Sequence, residues 1–104
     1  MSMTMLATAE PIEGAERAVG TIEPDSMSQM PLHLLGGEPT EVYVKAEGGE
    51  IHCGLFKTDG EALIVDENDD NECAFTVTPK YTADVILAVG NVGDKPALVV
   101  IIVR

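Results

Sequence analysis

Residues 82–104 constrain the fold more tightly than any other stretch. They read TADVILAVG, then NVGDKP, then ALVVIIVR, so two runs rich in Val, Ile and Leu flank a polar turn. β-Branched runs separated by Gly90, Asn91, Gly93, Asp94 and Pro96 predict two strands joined by a short loop. Strand periodicity sets Val85, Leu87 and Val89 on one face and Asp84, Ile86 and Ala88 on the other. In the second run Val99, Ile101 and Val103 share a face, with Leu98, Val100 and Ile102 opposite. Strands this apolar must be buried on at least one side, so the upstream chain has to supply the opposing layer.

Upstream, short alternating runs recur between turn residues. AVGTIEP (18–24) reads as a first strand, Ser26–Gln29 as a loop, and MPLHLL (30–35) as a second strand. Pro31 confines that second strand to an edge or a strand start. EVYVKAE (41–47) alternates Val42 and Val44 against Glu41, Tyr43 and Lys45. EIHCGLFKT (50–58) sets Ile51, Cys53 and Leu55 against His52, Gly54 and Phe56. Asp59-Gly60 signals a hairpin into ALIV (62–65). DENDDNE (66–72) reads as an acidic loop, and CAFTV (73–77) as a strand closed by Pro79. No long 3.6-residue period interrupts this rhythm, which predicts an all-β, antiparallel, jelly-roll-like sandwich of about seven to nine strands. Residues 1–17 read as a flexible N-terminal arm, with a helical turn around Ile12–Val19, before a single domain over 18–104.

At 104 residues the chain can bury a core without staples, and with 4% aromatics and no Trp that core must be built from Val, Ile, Leu and Ala. Eighteen acidic residues against six basic ones give a net charge of −12, which disfavours nucleic acid and anionic membranes as partners. The same charge serves solubility, or else cation binding or a basic protein partner. No apolar run is long enough to span a bilayer as a helix. Ala7-Thr8-Ala9 has the small residues of a secretory cleavage site, yet no Lys or Arg precedes it; an ordinary start and the tail of a truncated signal both fit.

The strands in order resemble the bacterial pre-peptidase C-terminal domain. AVGTIEPDS matches the family's V-x-G-x-I-x-P-G-D opening. PLHLLGGEPTEVYVKAEGGEIHCGLFKTDGEAL follows its central strands and hairpin, and FTVTPKYTADVILAVGNVGDKPALVVIIV its closing segment. His52 stands where an acidic residue is common, Ala83 replaces the usual Gly, and Val85 replaces the usual Tyr. The resemblance implies a non-catalytic accessory module, extracellular or periplasmic, appended to secreted enzymes; some members of the family bind calcium.

Three groups of residues carry candidate chemistry. Asp66, Asn68 and Asp70 place oxygen ligands at alternating positions, which suits Ca²⁺, although the segment lacks the glycine and terminal glutamate of an EF-hand; a solvated acidic loop is the alternative. Cys53 and Cys73 both fall on core faces, where buried free thiols are the commoner outcome and a disulfide requires facing strands. Reduced thiols would fit a cytoplasmic location instead. Ile86, Leu98, Val100 and Ile102 lie opposite the core face, so the arm, a second subunit or a partner must cover them, unless a bulge reverses the face. His52 and Cys53 are adjacent in a strand and point apart, so they cannot share a site. No zinc spacing, nucleophile elbow or phosphate loop is present, and no residue set supports an enzyme. The expectation is a non-enzymatic binding or assembly module with a protein partner or a homo-oligomer; the alternative is a structural subunit of a particle or filament coat.

Overall fold

The computed structural model describes residues 3–5, 7–8 and 16–104, with side chains described for 17–66 and 71–104. Eight long strands follow one another: β3 (Glu16–Ile22), β4 (Met27–Leu34), β5 (Thr40–Glu47), β6 (Ile51–Lys57), β7 (Ala62–Asp70), β8 (Glu72–Val77), β9 (Ala83–Asn91) and β10 (Ala97–Val103). Two short ones precede them, β1 (Met3–Met5) and β2 (Ala7–Thr8). They form two five-stranded sheets, β1-β4-β9-β6-β7 and β2-β3-β10-β5-β8. From β3 onward every connection except β6–β7 passes from one sheet to the other, which is the wrapping of a jelly roll. All long strands pair antiparallel, and only β1 runs parallel to its neighbour β4.

The apolar runs at the chain's end are not partners. β9 is the central strand of the first sheet and β10 of the second, so they belong to different layers of the sandwich. Val85, Leu87 and Val89 of β9 and Val99, Ile101 and Val103 of β10 are all buried in the one core between the sheets. Each such side chain contributes about 1.5–3 kcal/mol by leaving water. The largest fully buried side chains include Ile22, Leu34, Ile51, Leu55, Leu87 and Ile101, and none is aromatic. Periodicity thus assigns the faces correctly, while the layer opposing β10 is β9 and its sheet.

From β3 onward, a hairpin forms at Asp59-Gly60. Gly60 takes a φ of 95°, and its N–H donates to the Lys57 carbonyl at 2.9 Å, closing the turn between β6 and β7. A side chain at that φ would be strained, which is why Gly occupies it.

Four expectations need correction. The acidic run 66–72 is not a loop: β7 continues to Asp70, β8 begins at Glu72, and the crossing between sheets is made at Asn71. Ala46 N–H donates to the Asn71 carbonyl at 2.7 Å and fixes that crossing. Acidic residues are tolerated because β7 is an edge strand, where charge hinders further pairing. β4 begins at Met27, and Ser26 and Ser28 are buried rather than in an open loop. The stretch assigned a helical turn contributes Glu16–Val19 to β3, while residues 12–15 lie outside the described residues. Finally, Cys53 and Cys73 are not free thiols but a disulfide, with Cα atoms 6.4 Å apart. Both point inward from opposite sheets, so the bond ties β6 to β8 across the sandwich.

Candidate functional site: an apolar trough on the first sheet

The outer face of the first sheet carries a depression of about 410 Å³. Its floor is set by residues too small to fill it. Gly54 of β6 pairs with Ala88 of β9, and Gly90 of β9 pairs with His52 of β6. A Cβ built on Gly90 meets nothing nearer than the His52 carbonyl oxygen at 3.9 Å. Glycine inside a strand weakens pairing and packs nothing, so its presence marks a place where something else approaches the backbone. At Gly54 the space is used by Phe56, whose ring lies 2.5 Å from where a Cβ would stand. Ala88 points outward from β9 yet is only 6% exposed, because these neighbours shelter it.

The walls are apolar apart from His52 of β6. Met27 comes from β4, Phe56 from β6 and Val65 from β7, with Val92 just beyond β9. Val65 is 47% exposed and Val92 44%, unusual for valines on a chain with so many charges to spend on its surface. Val92 is held at the rim by main-chain geometry: its N–H donates to the Glu50 carbonyl at 3.0 Å. Asn91 fixes the same corner from inside. Its amide donates to the Ile22 carbonyl at 2.9 Å and the Lys95 carbonyl at 2.7 Å, and its oxygen accepts from Gly93 N–H at 2.9 Å. Both N–H donors of this buried amide and its oxygen are engaged, two of the three bonds closing the 91–96 turn and the third tying it to β3.

The residues expected to form one interface are divided between two faces. Ile86 lies on the outer face of the first sheet, between Pro31 and Phe56 in register. Leu98, Val100 and Ile102 lie on the outer face of the second sheet. There Leu98 sits between Thr21 and Glu47, Val100 between Val19 and Lys45, and Ile102 between Arg17 and Tyr43. Leu98 is 44% exposed; Val100 and Ile102 are half-buried. Arg104 adds an ion pair with Glu41, Nε to Oε2 at 3.3 Å. β2 pairs with β3 at the sheet's edge, two strands from β5. Tyr43 donates its hydroxyl to Glu72 Oε2 at 2.9 Å, and this bond to a carboxylate raises the phenol pKa above its ordinary value, with lesser contributions from desolvation and from the charge of Glu72.

Of the suggested calcium ligands, Asp66 lies on β7 opposite Cys53, and the side chains of Asn68 and Asp70 lie outside the described residues. Among the described residues no group of three or more His, Cys, Asp or Glu side chains is arranged to hold a metal ion. No described helix is long and apolar enough to cross a membrane.

No family model and no curated protein matches this sequence. Solved structures do match its fold. The periplasmic lysozyme inhibitor of g-type lysozyme, PliG, from Aeromonas hydrophila superposes with a TM-score of 0.69 over 99% of this chain and 96% of its own, at 12% identity. The pre-peptidase C-terminal domain of a collagenase from Bacillus anthracis gives a TM-score of 0.66 over 99% and 93%, at 15% identity. The fold resembles that of a pre-peptidase C-terminal domain. A de novo designed double-stranded β-helix also matches, with a TM-score of 0.51 over 85% of this chain and 97% of its own, at 14% identity. These identities speak to fold alone.

The sequence reading missed the trough because four strands and a turn build it and no single run carries it. The available signal was the pair of glycines within strands, Gly54 and Gly90, on the side away from the core.

Proposed function

We propose that this chain is a non-catalytic protein-binding module of an oxidising, extracellular or periplasmic compartment, and that it docks its partner through the trough. The observation that carries this reading is the trough itself: exposed Val65 and Val92 stand with Phe56 around a backbone left open at Gly90. Apolar side chains held around a glycine floor offer a preformed socket for a protruding apolar side chain, the geometry in which a few contacts supply most of the affinity. The net charge of −12 favours a partner with a positive surface and speeds its encounter. Two further findings support the compartment and the class. The Cys53–Cys73 disulfide belongs to an oxidising environment, and PliG, of the same fold, is a periplasmic inhibitor that acts on another protein.

A g-type lysozyme is the first probe for calorimetry. Saturable binding by the wild-type chain, weakened at least tenfold in Gly90→Val, is the expected result. That substitution places a side chain in the trough at a position where a Cβ meets nothing nearer than the His52 carbonyl oxygen at 3.9 Å. Equal binding by both proteins would overturn the trough as the docking site, and no binding by either would remove g-type lysozyme as the partner.

A further inference from the structure

The outer edge of β8 is the second feature that calls for an explanation, and backbone bookkeeping defines it. Glu41 exchanges both main-chain bonds with Arg104: its N–H donates to the Arg104 carbonyl at 2.7 Å and its carbonyl accepts at 3.0 Å. The odd-numbered residues of β5 therefore bond to β10, and the even-numbered ones to β8. The bond from Ala46 N–H to the Asn71 carbonyl agrees. With Val42 opposite Phe75 and Val44 opposite Cys73, the odd residues of β8 face β5. Glu72, Ala74 and Thr76 consequently direct their N–H and C=O groups away from the sheet, and among the described residues no strand pairs there.

The other edges are blunted. β1 covers β4 at residues 27–29, and beyond it the next outward position is Pro31, which has no N–H to offer. β7 carries two register shifts and the acidic run, and β2 pairs with β3 at Ala18 and Val19. β8 has no proline, no register shift and one charge, Glu72. Even that charge is turned back over the sheet by the bond from Tyr43.

We propose that the β8 edge is a strand-addition site for a second copy of this chain, joined antiparallel about a two-fold axis through Ala74. That register pairs the outward residues with one another: Ala74 with Ala74 of the second copy, and Glu72 with Thr76 of the second copy. No like charges oppose, and the small side chain lies where the two strands meet on the axis. Half-buried Phe75 and Val77, on the inner side of the edge, are covered by the same addition. The trough is on the other sheet and stays free, so the dimer presents two troughs and gains avidity for a repeated or dimeric partner. Because two chains of charge −12 must approach, screening strengthens this contact. A contact with a basic partner would respond to salt in the opposite sense.

Sedimentation equilibrium of the full chain at 50 and 500 mM NaCl tests the proposal. A dimer that tightens with salt and weakens at least tenfold in Ala74→Lys is expected; that side chain points outward, away from the core. A second variant does not depend on that outcome: Ala74→Cys should form a disulfide-linked dimer under mild oxidation, since paired Cα atoms at such an axis lie about 5.5 Å apart. Thr76→Cys, whose counterpart is Glu72, should link far more slowly. A monomer at both salt concentrations overturns the proposal, as does a dimer indifferent to Ala74→Lys, or equal cross-linking from positions 74 and 76.

Discussion

Both outer faces of this sandwich carry aliphatic side chains, and they arrange them differently. On the second sheet, Leu98, Val100 and Ile102 form a stripe one strand wide, bordered by Arg17, Lys45, Tyr43 and Glu47. Long charged side chains such as those of Arg17 and Lys45 can lay their apolar stems along such a stripe while their heads stay in water. On the first sheet Phe56 folds over Gly54, while the backbone at Gly90 stays open between Val65, Val92 and Met27. Shape rather than apolar content separates a tolerated stripe from a socket.

The comparison presupposes that β9 and β10 turn opposite faces to water, and the largest test strikes there. Leu87→Ala, inward on β9, should cost about 2–5 kcal/mol of unfolding free energy, against under about 1 kcal/mol for Leu98→Ala, outward on β10. Chemical denaturation of both variants checks it, and similar losses would mean the faces are misassigned. Next is the clamp common to both sheets. Replacing Cys53 and Cys73 together by Ala should lower stability by about 2–4 kcal/mol, seen as a lower denaturation midpoint that the wild type reproduces under reductant. A smaller effect sharpens the trough: Gly54→Ala must push the Phe56 ring aside. It should move the Phe56 ring resonances while changing stability by no more than about 1 kcal/mol, since the alanine also stiffens the unfolded chain.

How far the sequence spoke follows the same division between faces and neighbours. Alternation told which residues of β9 and β10 look inward, because a strand's two faces are a local property. It did not tell that these strands belong to different sheets, because jelly-roll wrapping sets neighbours through pairings remote in sequence, such as Val100 with Val19 and with Lys45. Pro31 stands neither on an edge strand nor at a strand start, but in the part of β4 that lies past its short pairing with β1. The acidic run was misread because Asp, Glu and Asn are poor strand formers, and only an edge such as that of β7 tolerates them. Both cysteines were legible as inward-facing; their approach to 6.4 Å across the core was not.

The smallest expected effect belongs to the second face. In a Tyr81→Phe background the remaining phenol, Tyr43, should titrate above its ordinary value of about 10, followed by ultraviolet absorbance. Glu72→Gln should bring that midpoint down by removing the carboxylate charge. Because the folded-state pKa is raised, the bond's contribution to stability is fully present below about pH 10 and is lost as pH rises through the folded value. An unshifted Tyr43 would mean that Glu72 is not held back, and would return a guarding charge to the β8 edge.

Photo-crosslinking from both faces tests the central claim most directly. A photoreactive side chain is placed at position 65 in one variant and at position 100 in another, and each is exposed to the extracellular and periplasmic proteins of the native host. The account expects a defined adduct from position 65 that excess wild-type chain competes away and excess Gly90→Val does not. Adducts from position 100 alone, or from neither position, would contradict it.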